Sequence, residues 1–197
     1  NDSALGDTIG ITTIAATGNT STGGRLSLNN NISSAENITL TGDSEVPGGF
    51  NATIDSASGS NTLTGSITLA GTGGQRINAT GDLNLDGPVA RDGANAGQLV
   101  LRTGSNVSTL TVNNTIDLNG STLNVQGTGT VILNAASTDF TSTAIGFGGT
   151  ELTLRLGIDN ALPITGDLSI GTSNVQTNAD QGNFDMAGYN QTVNALS

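Results

Sequence analysis

GTGTVILNAASTDFTSTAIGFGGTELTLRLG, residues 127 to 157, is the stretch whose reading decides the fold. A Gly-Thr pair leads into the strand Thr130-Val131-Ile132-Leu133-Asn134. A polar link through Phe140 follows. The stretch closes on Glu151-Leu152-Thr153-Leu154-Arg155-Leu156. There the three leucines share one face, and Glu151, Thr153 and Arg155 share the other. That is the period-two alternation of a strand with one face buried. The same unit of strand, turn and strand recurs with variations along the chain.

Working outward, downstream segments alternate at Asp167-Leu168-Ser169-Ile170-Gly171 and Asn183-Phe184-Asp185-Met186-Ala187, and the chain ends on Tyr189 to Leu196. Upstream, four short strands crowd together at Thr109 to Val112, Thr115 to Leu118, Thr122 to Val125 and Thr130 to Leu133. Before them come Gln98 to Arg102, Gly81 to Gly87, Arg76 to Asn78, Asn61 to Leu69 and Ala52 to Asp55. Nearer the start lie Asn37 to Thr41, Arg25 to Leu28, and Asp7 to Ala16 with Ile9, Ile11 and Ile14. Asp43 to Gly49 and Pro88 to Gly97 read as polar loops. Helical spacing is confined to Ile158 to Leu162, too short to hold alone.

Strands of equal length joined by loops of unequal length favour a solenoid, because an insertion can leave one coil without disturbing the stack. At about 20 to 25 residues per rung, the chain makes about eight or nine coils. The rival is a meander sandwich, which wants tight hairpins such as Asn-Gly or Asp-Gly. Those pairs exist at Asn119-Gly120, Asp86-Gly87 and Asp92-Gly93. The reading adopted is an all-β, single-stranded parallel β-helix (a β-solenoid) over residues 1–197.

Composition agrees. Hydrophobic residues are 34% and aromatics 3%, with no Trp, which suits a thin core of stacked Leu, Ile and Val. The 29 glycines mark frequent turns. Abundant Thr, Asn and Ser suit half-exposed strands, and stacked Asn and Thr form hydrogen-bonded ladders between coils. Net charge is -11, with five arginines and no lysine, so the basic footprint that nucleic acid needs is missing. An anionic membrane surface is disfavoured for the same reason. No apolar run approaches the ~20 residues of a spanning helix. With no cysteine there are no disulfides or Cys-ligated metals. The start at Asn1 rather than Met points to a processed or excised segment.

The stretch at 127–157 resembles the autotransporter-associated β-strand repeat. The likeness is carried by Gly127-Thr128-Gly129-Thr130, Ser137-Thr138-Asp139-Phe140-Thr141 and Leu154-Arg155-Leu156-Gly157. It continues through Asp159-Asn160-Ala161-Leu162-Pro163 and Phe184 to Val193. Upstream, Ser58-Gly59-Ser60-Asn61-Thr62, Gly65-Ser66-Ile67-Thr68-Leu69 and Arg76-Ile77-Asn78 are similar to the companion block. The likeness spans Asn51 to Leu196 and is weaker before that. It implies a right-handed parallel β-helix on an exported bacterial protein at the cell surface or outside the cell. The family has no common catalytic residues, so none is carried over.

Asp82, Asp86 and Asp117 sit beside leucines with their side chains on an outer face. Asp86, Asp92, Arg91 and Arg102 could in principle line a cleft of the kind polysaccharide-acting β-helix enzymes use. Against this, no His or Lys is available as a base and no carboxylate pair is dictated by spacing. Without His the usual serine triad cannot form. Neither the Gly-Gly-x-Gly-x-Asp calcium nonapeptide nor an EF-hand loop occurs, which leaves for calcium only the fragment Gly148-Gly149-Thr150-Glu151 and the Asp rows. Asn-x-Ser/Thr sequons at Asn31, Asn37, Asn51, Asn78 and Asn106 are what chance gives in such a composition. Phe50, Phe140, Phe147, Phe184 and Tyr189 read as core or loop anchors rather than a sugar-stacking platform. No catalytic, cofactor or metal residue is therefore assigned.

The expected function is structural: an extracellular rod stacking head to tail with copies of itself. The alternatives are an adhesive passenger using loops Asp43 to Gly49 and Pro88 to Gly97, with surface glycans among its partners, and a polysaccharide-acting enzyme.

Overall fold

A computed structural model describes residues 10–16, 23–44, 52–93, 97–147, 152–171 and 182–197. The alternation seen in the sequence becomes a stack of coils. After β1 (Ile11–Ala16), the first coil runs through β2 (Leu26–Asn29), β3 (Ser33–Ser34) and β4 (Asn37–Gly42). The next is β5 (Ile54–Ser58), β6 (Ser60–Leu63) and β7 (Ile67–Leu69). Then come β8 (Gln75–Ala79), β9 (Asp82–Leu85) and β10 (Val89–Arg91), followed by β11 (Leu99–Thr103), β12 (Thr109–Val112) and β13 (Ile116–Asp117). The last coils hold β14 (Thr122–Gly127) and β15 (Thr130–Leu133), β16 (Ser142–Phe147) and β17 (Leu152–Leu156), and β18 (Asp167–Ile170) and β19 (Gly182–Asp185).

Strands pair in parallel with those one coil before or after them, giving three walls. The first wall is β1-β4-β7-β10-β13. The second runs from β2 to β18 and the third from β3 to β19, with seven strands each. The result is a parallel β-solenoid of about 6 turns. That is fewer than the eight or nine expected from a 20 to 25 residue rung. Coils are longer towards both ends than in the middle: Ser58 bonds Asn29 across 29 residues and Arg155 bonds Asp185 across 30, whereas Asn134 bonds Asn113 across 21.

The core is a set of aliphatic columns. Ile54, Ile77, Leu101, Val125 and Ile145 lie in register on the second wall, each fully buried. Leu63, Leu85, Val112, Leu133 and Leu156 do the same on the third. Ile38, Ile67, Val89 and Ile116 line the first. The leucine face of the 152–156 strand is buried as the alternation requires, with Arg155 exposed.

Three local readings change. The link through Phe140 contains a strand, β16, so β15 and β17 are stacked neighbours one coil apart rather than the arms of one turn. The loop at Pro88 to Gly97 begins with β10. The segment from Ile158 to Leu162 holds a turn and no helix. The Asn119-Gly120 signal is a real turn: φ is 49° and 78°, and the Ser121 N–H donates to Leu118 O at 3.0 Å. It is a type I′ geometry. Here it takes the chain round a corner from β13 to β14, which do not pair.

Corners impose their own sequence. A Cβ at Gly87 would run into the carbonyl of Gly65 in the coil before, and one at Gly65 into Glu36 O. Backbone approaches backbone there, so neither neighbour can move aside. Gly87→Ala should therefore destabilise the fold by about 1–3 kcal/mol, the usual cost of overpacking. Urea unfolding measures it; an unshifted midpoint would mean that the coils can spread to admit a methyl group.

Candidate functional site

The carboxylates and arginines singled out from the sequence do not converge. Asp82 starts β9 and accepts the Thr109 N–H at 2.9 Å. Asp86 lies at the corner after β9, where it accepts Asn113 Nδ2 at 2.7 Å. Asp117 sits on the outer side of the first wall and accepts the Asn119 N–H at 3.0 Å. Arg102 belongs to the second wall, and Arg91 points inward. The cleft that would gather Asp86, Asp92, Arg91 and Arg102 is not formed. Among the described residues, no three or more His, Cys, Asp or Glu come together as metal ligands. Residues 148–151, the calcium-like fragment, lie outside the described residues, as do residues 45–49 of the first loop.

Asparagine ladders do form. Asn134 Nδ2 donates to Asn113 Oδ1 at 2.7 Å, and Asn113 in turn donates to Asp86, so three coils are tied by one file of side chains. Of the aromatics, Phe140 is buried in the core, Phe184 is packed against its end and Tyr189 is exposed. Phe50 lies outside the described residues, as does the side chain of Phe147.

The largest polar assembly was not anticipated. On the outer face of the second wall, Asp55, Asn78, Arg102 and Gln126 stand in register on β5, β8, β11 and β14. Arg25 Nη2 donates to Asp55 Oδ2, and Asn78 Nδ2 donates to Asp55 Oδ1 at 2.6 Å. Arg102 Nη1 donates to Asn78 Oδ1 at 3.2 Å. Beside this file, Arg76 Nη2 reaches across the intervening coil to Gln126 Oε1 at 3.3 Å. Three of the five arginines thus share one wall with one aspartate. Both oxygens of that aspartate accept hydrogen bonds, and its side chain is buried, so it is poorly placed to take a substrate proton. The assembly is a clamp across coils. Asn78 is itself buried within it, so its sequon is closed to a glycan.

The second feature is the C-terminal end. Ala195 to Ser197 pair with β18: the Leu168 N–H donates to Ala195 O at 2.9 Å, and the Ser197 N–H to Leu168 O at 3.0 Å. Below them the aliphatic columns stop in the open. The column that begins at Ile54 finishes on Ile170, 37% exposed, and the column through Leu168 finishes on Leu196, 68% exposed. Met186 and Tyr189 are also exposed on this last coil. No cap covers these side chains among the described residues.

The last coil carries a further ion pair. Arg155 Nε donates to Asp185 Oδ2 at 2.8 Å, and the Ala187 N–H donates to Asp185 Oδ1 at 2.9 Å. The backbone bond first, then Arg155, hold this carboxyl below its ordinary value of 3.8. A depressed folded value stabilises the coil above pH ~4, and that contribution is lost as pH falls through the folded value. An NMR titration should place the Asp185 carboxyl lower than in Arg155→Gln. Equal midpoints would remove Arg155 from the account.

Fold and surface together define a parallel β-solenoid, with coil-to-coil register fixed by polar files outside and aliphatic columns inside. Comparison with protein-family models, curated proteins and solved structures returns no match.

Proposed function

We propose that the chain is an extracellular structural protein of a bacterial cell surface or matrix, a β-solenoid rod that stacks end to end into a fibre. The stack itself carries this reading: parallel coils are held by aliphatic columns inside and polar files outside, and the last described coil presents Ile170 and Leu196 to solvent. An edge of parallel strands with exposed apolar side chains templates further pairing. When the C-terminal end of one copy meets the N-terminal end of another, the contact is heterologous and does not close, and such contacts build filaments. The likeness of residues 51–196 to the autotransporter-associated repeat supports a surface or extracellular setting. The scattered carboxylates are consistent with a non-enzymatic role.

Electron micrographs of purified protein over a concentration series test the proposal. Rods that lengthen with concentration support it. Compact monomers persisting at high concentration would sink it.

A further inference from the structure

The column Ile14, Leu40, Leu69 on the first wall has an unexpected next member. Arg91 occupies the register position after Leu69. Its side chain points into the solenoid, where the residue is 6% exposed. The surroundings are polar only in part. Arg91 Nη1 donates to Gly71 O at 3.1 Å. Gln75, on the adjacent wall and fully buried, gives its Nε2 to Gly42 O and accepts Thr53 Oγ1 at 3.1 Å on Oε1. A side chain at Gly71 would collide with both Gly42 O and Gln75 Nε2, so this corner is kept free of side chains.

Two donors of the guanidinium remain. Nε and Nη2 are buried and have no hydrogen-bond partner. They lie along one edge of the planar group, the side-on fork that takes two atoms of an anion at once. No carboxylate forms an ion pair with Arg91 among the described residues, although the chain has 16 acidic residues. Burial alone lowers its basicity, with no opposing contribution from a neighbouring charge. A buried, uncompensated cation is among the costliest features a core can hold. The aliphatic neighbours of this column show that Leu or Met would fit the pattern.

We infer that Arg91 is an anion site: a small monoanion, halide or simple carboxylate, sits on the Nε–Nη2 edge at the corner between the first and second walls. The anion neutralises the guanidinium and completes its hydrogen bonds. It locks β10 to the coil beneath. This inference is independent of end-to-end assembly, because the site lies within one chain.

Thermal unfolding in sodium bromide, sodium formate and sodium fluoride at equal ionic strength tests it. The fully solvated fluoride serves as the control. The melting temperature should climb with the logarithm of bromide or formate concentration beyond any change that Arg91→Met shows in the same salt, and that difference should stay flat in fluoride, whose tightly held hydration shell keeps it out of a buried site. A greater response to bromide assigns a halide, and a greater response to formate a carboxylate. Arg91→Met should abolish the dependence and melt at or above the wild type measured in fluoride. Arg91→Lys, which keeps charge but loses the fork, should weaken it. Crystals grown in bromide provide a readout that needs no variant: an anomalous peak within hydrogen-bond reach of Nε and Nη2. No anion-specific rise, an equal rise in Arg91→Met, or a carboxylate of the chain itself on the fork would each overturn the inference.

Discussion

Ile170→Glu/Leu196→Glu should leave the purified protein monomeric at concentrations where the proposed end-to-end stacking would lengthen the wild type into rods. Both side chains end aliphatic columns and face out of the last coil. In a filament each would be covered by the next copy, and full burial of such a side chain stabilises by about 1.5–3 kcal/mol. At about 1.4 kcal/mol per tenfold, losing both raises the concentration needed for assembly by about 100-fold or more. Two carboxylates at the join add repulsion in a chain already at net charge -11. The monomer should stay folded with a modest loss of stability, because Leu196 is 68% exposed and Ile170 closes its column on one side only. Sedimentation over a concentration series reads the shift. Rods that persist unchanged in the variant would place the join elsewhere.

Leu101→Ala should cost about 2–5 kcal/mol of unfolding free energy, the range for a leucine removed from a closed core. Leu101 is fully buried, between Ile77 above and Val125 below. In a solenoid each coil touches only its neighbours, so the cavity cannot be absorbed by distant rearrangement. Leu196→Ala is the internal control. It makes the same chemical change at an open position and should stay within ~0.5 kcal/mol in the monomer. Denaturant midpoints of the two variants, measured at a concentration below assembly, decide the matter. Equal losses would contradict the picture of columns closed in the body and open at the end.

The walls were legible in the sequence wherever inward positions are large and aliphatic. Leu152, Leu154 and Leu156 announce their own face. So do Leu83 and Leu85, and Leu110 and Val112. The reading failed where inward positions are not. In β16 the inward set includes Thr143, a buried hydroxyl between Leu123 and Leu168, so the segment reads as polar link. In β10 the inward set ends on Arg91, and a proline and polar residues flank it. The coil count was overestimated because rung length varies, and alternation reports strands but not the chain spent between them.

Sites were legible to the same degree and for the same reason. A surplus of Asn suggested ladders, and the file Asp86, Asn113, Asn134 is one. The clamp of Arg25, Asp55, Asn78 and Arg102 was hidden because its members are 23 to 30 residues apart and meet only when the register is known. Asp86 and Arg102, which lie close in the sequence, end up on different parts of the coil.

Among the described residues the first wall has five strands and its neighbours seven. Beyond β13 that side is carried by corner hydrogen bonds instead of a strand ladder: the Leu118 N–H on Asp139 O at 3.0 Å, the Ser137 N–H on Ala161 O at 3.0 Å, the Asn160 N–H on Asn190 O at 2.8 Å, and the Thr192 N–H on Asn160 Oδ1 at 3.0 Å. The solenoid is therefore held differently along its axis. Under tension the coils joined by three strand ladders should share load along each wall, while those after β13 should concentrate it on side-chain and corner bonds.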